Sequence, residues 1–234
     1  MKCFQEQGKP DDLVYPAELQ DNGLYWLRCR AGHETVTCLQ EQKFEILYDL
    51  AANAILDGYY REAVMSFTSA LERFHEFYIQ VMAIKRNVPE KEFEESWRRV
   101  SAQSERQYGA YVLLYTLENG VPPPRLSDSN VTFRNDVIHK GKIPSKDKSV
   151  DYGEAVLEAI ESVLSDLKVK DSQYVNEVVR HHVMRTHKQI KGNPLVTFMT
   201  TATTISISRA ASEPHLTLKD TLLRLAERRH KGGW

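Results

Sequence analysis

At 234 residues with 41% apolar side chains, the chain has material for one large or two small domains, and its length does not require more than one core. Its 31 lysines and arginines stand against 32 aspartates and glutamates, a formal net charge of -1, which excludes nucleic-acid binding through bulk positive charge and confines any RNA contact to a local patch. Three cysteines (Cys3, Cys29, Cys38) do not make a secreted disulfide scaffold, no N-terminal apolar run resembles a signal peptide, and no segment approaches the roughly 20 apolar residues of a membrane span. The expectation is a cytoplasmic protein in a reducing compartment.

The first twenty residues, with Gly8, Pro10 and Pro16, lack periodicity and read as an extended arm. Residues 24–30 (LYWLRCR) and 34–39 (ETVTCL) are short β-forming runs joined through Gly32, a hairpin pattern. From Glu41 the period becomes helical, with Phe44, Leu47, Tyr48 and Ile55 on one face until Asp57-Gly58 interrupts. The strongest amphipathic stripe follows, from Ala63 and Val64 through Phe67, Phe74 and Phe77 to Met82, enough for a helix of about six turns. After Pro89 a charged segment (90–107) and a more apolar one (108–117) lead to Pro122-Pro123-Pro124, where three prolines enforce an extended break. Ser127 or Ser129 can cap a short polar helix ending at Gly141, and residues 151–167 carry another amphipathic pattern. Residues 171–190 read as a less apolar helix, 195–208 (LVTFMTTATTISIS) have a β bias, and 216–229 return to a helix. The expected fold is mainly α: an arm and β-hairpin over 1–40, a helical bundle over 41–191, and a C-terminal β plus helix extension over 192–234.

The segment with the clearest chemistry is Arg134-Asn135-Asp136-Val137-Ile138-His139. An arginine five or six residues before a histidine also occurs at Arg28/His33, Arg209/His215 and Arg224/His230, so spacing alone does not select it. Context does: of these four arginines only Arg134 is followed at once by asparagine, on a short helix bracketed by loops. On a helix Asn135 and His139 share a face, and Arg134 lies about 100° round with a side chain long enough to meet the same phosphate. Imidazole can exchange a proton near neutral pH and guanidinium can bind non-bridging phosphate oxygens, which suits cleavage of RNA beside a 2′-hydroxyl without a metal. Lys140 and Lys142 could hold the backbone. The same arginine and histidine near a helix C-terminus would also satisfy terminal carbonyls and the helix dipole.

The run Arg134-Asn135-Asp136-Val137-Ile138-His139-Lys140-Gly141, followed by a loop with Pro144 and an amphipathic helix, resembles the signature of HEPN proteins. The segment Asp57-Gly58-Tyr59-Tyr60-Arg61-Glu62-Ala63-Val64, running into Ala70-Leu71-Glu72-Arg73-Phe74, is similar to the early helices of that family. The resemblance covers roughly residues 41–168 and implies a bundle of four or five helices that pairs as a homodimer around a composite RNA-cutting cleft. In that reading His139 moves a proton, Arg134 stabilises the phosphorane-like state, Asn135 positions, and Glu72 is a supporting residue or a salt-bridge partner of Arg134. No cofactor is implied. Many such proteins are toxins or abortive-infection antiviral effectors, which implies a neutralising partner or a phage-derived trigger. The alternative is a HEPN-like module that binds RNA, a nucleotide or a protein without cutting.

Two other clusters carry a signal. Cys29, His33 and Cys38 form a C-x3-H-x4-C pattern compatible with three zinc ligands, with Cys3 as a possible fourth; a hairpin with buried cysteines and a turn histidine explains the same residues. A zinc-stabilised interaction protein would follow from the first of these. Arg180, Arg185 and Lys188 lie among His181, His182 and His187 on one helical segment, a solvated basic face or a contact to RNA phosphates. Walker, G-x-S-x-G and H-E-x-x-H motifs do not occur, so NTPase, serine-hydrolase and zinc-protease readings lack their primary marks.

Overall fold

The computed structural model describes residues 3, 6, 8, 17–192 and 194–230; most of the opening arm, Lys231 and Trp234 lie outside the described residues. Among the described residues the chain is mainly α, with eight helices and one three-stranded sheet. Its described residues divide into a sheet unit, up to residue 41 and over 179–201, and a helical unit, residues 42–178 with 202–230. None of the described helices is long and apolar enough to cross a membrane.

In the sheet unit, β1 (Leu24–Arg28) and β2 (Glu34–Leu39) form the antiparallel hairpin, in register Leu24 to Cys38 and Arg28 to Glu34. Gly32 takes φ +80° in the turn, a conformation that suits glycine, and its N–H donates to the Cys29 carbonyl at 2.9 Å. β3 (Leu195–Met199) pairs parallel to the other side of β2, with Val196 opposite Val36, and the two threonine hydroxyls of Thr37 and Thr197 lie 2.8 Å apart. The expected C-terminal extension is therefore divided: its strand completes the hairpin sheet and its helix belongs to the helical unit. The core of this unit is small, with Leu24, Val36 and Cys38 buried and Ile190 and Val196 packed against them.

The helical unit is organised by α2 (Tyr60–Lys85), which packs against α1 (Lys43–Leu56), α4 (Ser104–Asn119), α5 (Asp128–His139) and α6 (Lys146–Lys170). Its apolar stripe is continuous: Ala63, Val64, Phe67, Ala70, Phe74, Phe77, Val81 and Met82 are all buried. α3 (Glu90–Val100) buries no residue, and Phe93 and Trp97 stack nearly parallel on it, 6.1 Å apart. α7 (Ser172–His187) contains the boundary between the units, after Val178, and α8 (Leu218–His230) packs on α1 and α6. Within α6, Gly153 leaves room for the Phe67 ring and Leu218, and its carbonyl accepts a 3.1 Å hydrogen bond from the Tyr48 hydroxyl.

Residues 200–208 are not strand, despite their β-forming composition. The physical reason is capture by α1: Asp49 accepts hydrogen bonds from the Thr204 amide at 3.0 Å and hydroxyl at 2.6 Å, and Glu45 accepts one from the Ile207 amide at 2.9 Å. Backbone donors that would otherwise enter a ladder are satisfied by buried carboxylates.

Candidate functional site

α5 starts at Ser127, whose hydroxyl accepts the Asn130 amide at 3.2 Å, so the first of the two serines is the cap. At the other end the Lys140 and Lys142 amides both donate to the Asp136 carbonyl, at 3.2 and 3.1 Å. Val137 is the helix's one buried residue; Phe133 faces the Tyr152 ring on α6, with centroids 5.7 Å apart. Relative to Val137, Arg134 lies about 60° round, whereas Asn135 and His139 lie about 160° away on the outward face. His139 is exposed, and Arg134 and Asn135 are half-buried. None of the three side chains makes a hydrogen bond or ion pair to a described residue.

Arg134 is in the wall of a cavity of about 360 Å³ between α2, α4, α5 and α6, together with Thr68, Glu72, His75, Tyr111 and Tyr152. Asn135 and His139 do not line it. Within one chain, then, the structure brings Arg134 to Glu72 but not to His139. Glu72 is beyond ion-pair distance of Arg134; burial pushes its carboxyl up from the ordinary glutamate range and outweighs the fields of Arg73 and, less, Arg134, which favour its ionised form. A carboxyl raised in the fold costs stability once ionised, so the penalty appears as pH rises from about 4.3, the unfolded value, through the folded one. Glu72→Gln is expected to melt above the wild type at pH 7 and to lose that advantage below about pH 4. A difference that does not change with pH would show that the carboxyl is not desolvated.

Lys140 and Lys142 are not unengaged phosphate ligands: both pair with Asp136, at 2.9 and 3.5 Å, and the Lys140 hydrogen bond leads the effects that hold the Asp136 carboxyl below its ordinary range. They remain largely exposed, and with His139, Lys146 and Lys148 they form an exposed basic run over residues 139–148. Lys146 and Lys148 were not selected from sequence, because they follow the motif across a proline.

The cavity has residues that the motif reading missed. His75 is buried, stacked on Tyr111 at 4.3 Å, and its imidazole is pushed down to about 3, mainly by burial, so it is neutral at physiological pH. Thr68 and Tyr152 hydroxyls lie 2.9 Å apart, and burial raises the Tyr152 phenol. Their signal in the sequence is a lone histidine within the apolar stripe of α2 and tyrosines at 108, 111 and 115, three and four apart.

A second cluster in the helical unit has the outline of an acid–histidine–serine relay. His215 Nδ1 lies 3.0 Å from the buried Glu161 carboxylate and its Nε2 lies 3.2 Å from the Ser165 hydroxyl. The hydroxyl's shorter contact, 2.7 Å, donates to the Glu161 carbonyl, so its proton is committed to the backbone rather than to the imidazole. This arrangement tethers the segment before α8 and does not activate a nucleophile.

In the sheet unit, Cys29 and His33 come together at the hairpin turn, but Cys38 does not join them: it is fully buried beside Leu24 and Val36, and burial pushes its thiol up. Cys3 takes the third place in the cluster. Arg180, Arg185 and Lys188 are exposed, with Arg180 3.0 Å from the Met184 sulfur, and His182 Nε2 lies 3.3 Å from the Leu39 carbonyl. No protein-family model matches the sequence, and no curated protein and no solved structure matches the chain.

Proposed function

We propose that the protein is an endoribonuclease of the HEPN type that cleaves RNA through attack of a 2′-hydroxyl, without a catalytic metal, at a site completed by a second copy of the chain. The observation that carries this reading is the state of α5: Arg134, Asn135 and His139 have no hydrogen bond or ion pair to a described residue, on a helix with one buried residue. A structural role in capping or pairing would have engaged them, as it engages Lys140 and Lys142. His139 supplies proton transfer, Arg134 binds the phosphate as charge builds, and Asn135 orients one or the other.

A second copy is favoured by α4. Tyr111 and Tyr115 face the core, yet Leu113 and Leu117 on the opposite side are 62% and 68% exposed. A helix apolar on both sides calls for cover on both sides. A homodimer also explains how Arg134 and His139, which face different ways in one chain, would act on one phosphate. A toxin or antiviral-defence role, with a neutralising partner or phage-derived trigger, comes with the family resemblance.

The rival reading, a module that binds RNA, a nucleotide or a protein without cutting, is favoured by the absence of His139 from the Arg134 cavity. The two are separated by incubating the full-length protein with total RNA in buffer without added divalent ions and resolving the products on a gel. Cleavage supports the nuclease; retention of intact RNA by a folded dimer supports the binding module. In either case the basic run 139–148 should carry the electrostatics: Lys142→Ala, Lys146→Ala and Lys148→Ala are each expected to lower the salt slope of RNA binding by about one unit, measured by titration at several ionic strengths. An unchanged slope in all three would move the RNA path elsewhere.

A further inference from the structure

We infer that Cys3, Cys29 and His33 form a zinc site that ties Cys3 to the β1–β2 turn. The Cys3 sulfur lies 3.4 Å from the Cys29 sulfur and 3.2 Å from His33 Nδ1, and all three donor atoms fall within 4.8 Å of one another. Zinc at its usual bond lengths places two tetrahedral sulfur ligands about 3.8 Å apart, and a sulfur and a nitrogen about 3.6 Å apart. The two separations made by the Cys3 sulfur are therefore each a few tenths of an ångström short of the geometry the ion imposes. The turn creates half of it: the Gly32 amide bonds back to the Cys29 carbonyl and the Cys29 amide to the His33 carbonyl at 3.1 Å, which turns both side chains to one side.

The histidine's other nitrogen supplies a separate argument. His33 Nε2 lies 2.8 Å from the Glu6 carboxylate. That contact places the proton on Nε2 and leaves the Nδ1 lone pair toward the Cys3 sulfur, the carboxylate–histidine arrangement that orients and strengthens a zinc ligand. Two thiolates and one imidazole select zinc over magnesium or calcium, which prefer oxygen ligands. Among the described residues these three are the cluster, one short of a closed tetrahedral set.

The sheet unit has a use for such a fastening. Its core cluster is Leu24, Val36 and Cys38, with Tyr25 and Leu39 buried as well, a small amount of apolar material, so a metal tie at the hairpin turn adds stability that burial supplies sparingly. Cys38 is excluded from the ligand set because it belongs to that core.

The test uses full-length protein purified under reducing conditions, loaded with zinc chloride, desalted and analysed for metal, with cobalt(II) chloride as a spectroscopic substitute. The expected result is about one zinc per chain and a cobalt spectrum with thiolate charge-transfer bands and the intense visible bands of tetrahedral coordination. Cys29→Ser and His33→Ala should lose both. Glu6→Gln should keep the stoichiometry and bind cobalt about 10–100-fold more weakly, a graded effect that misfolding would not give. Wild-type protein that binds neither ion overturns the assignment, as does a Cys29→Ser variant with full stoichiometry, a cobalt spectrum without thiolate bands, or a Cys3–Cys29 disulfide in protein isolated without reductant. None of these outcomes bears on whether the helical unit cleaves RNA.

Discussion

Arg134→Ala and His139→Ala are each expected to lower RNA cleavage by about 10²–10⁴-fold while leaving the melting temperature close to that of the wild type. The size follows from the roles: loss of the proton-transfer group and loss of the cation facing the developing charge each remove a contribution made in the transition state. The small structural effect follows from the fold. His139 is exposed, and Arg134 gives up no hydrogen bond or ion pair to a described residue, only its field on Glu72, so neither truncation leaves a buried group without a hydrogen-bond partner. Mixing the two variants tests the second copy. If each site takes Arg134 from one chain and His139 from the other, mixed dimers regain one intact site, and an equimolar mixture recovers about a quarter of wild-type activity. A site complete within each chain would recover nothing. Loss of activity accompanied by a large drop in melting temperature would instead make the residues structural.

Gly153→Ala is expected to destabilise the helical unit by about 1–3 kcal/mol, against the direction of helix propensity. In the middle of an exposed helix the substitution would gain about 1 kcal/mol. Here an added Cβ meets the Phe67 ring edge and Leu218 Cδ2 at 2.6 Å, and both residues are fully buried, so neither can swing into solvent. Any shift of α6 to relieve the contact also disturbs the Tyr48 hydrogen bond to the Gly153 carbonyl. Overpacking therefore outweighs propensity. Denaturant unfolding measures it directly; a stabilised variant would mean that α2 and α8 yield at little cost.

The helices were legible because their period is carried by large apolar residues. The stripe from Ala63 to Met82 has few other ways to be buried, and Asp57-Gly58 and the three prolines mark boundaries that backbone geometry enforces. The pairing of β3 with β2 was not legible, because parallel partners about 160 residues apart leave no local mark and Thr-Ile-Val composition does not name a neighbour. The same composition misled over residues 200–208, where Asp49 and Glu45 on a remote helix decide the outcome. At the candidate site, sequence placed Arg134, Asn135 and His139 on one short helix, but the burial of Val137 fixes which way each points and separates Arg134 from His139. The place of Cys3 beside Cys29 and His33 was less legible: Cys38 has the better sequence spacing, and only its position in the core separates it from them.

The most direct test of the central claim is the chemistry of the ends left on RNA incubated with the full-length protein and no added divalent ion. Attack by a 2′-hydroxyl predicts a 2′,3′-cyclic phosphate on one side of the cut and a 5′-hydroxyl on the other, with both absent when Arg134→Ala replaces the wild type. Cuts that leave a 5′-phosphate and a 3′-hydroxyl, or that persist in that variant, would contradict the account.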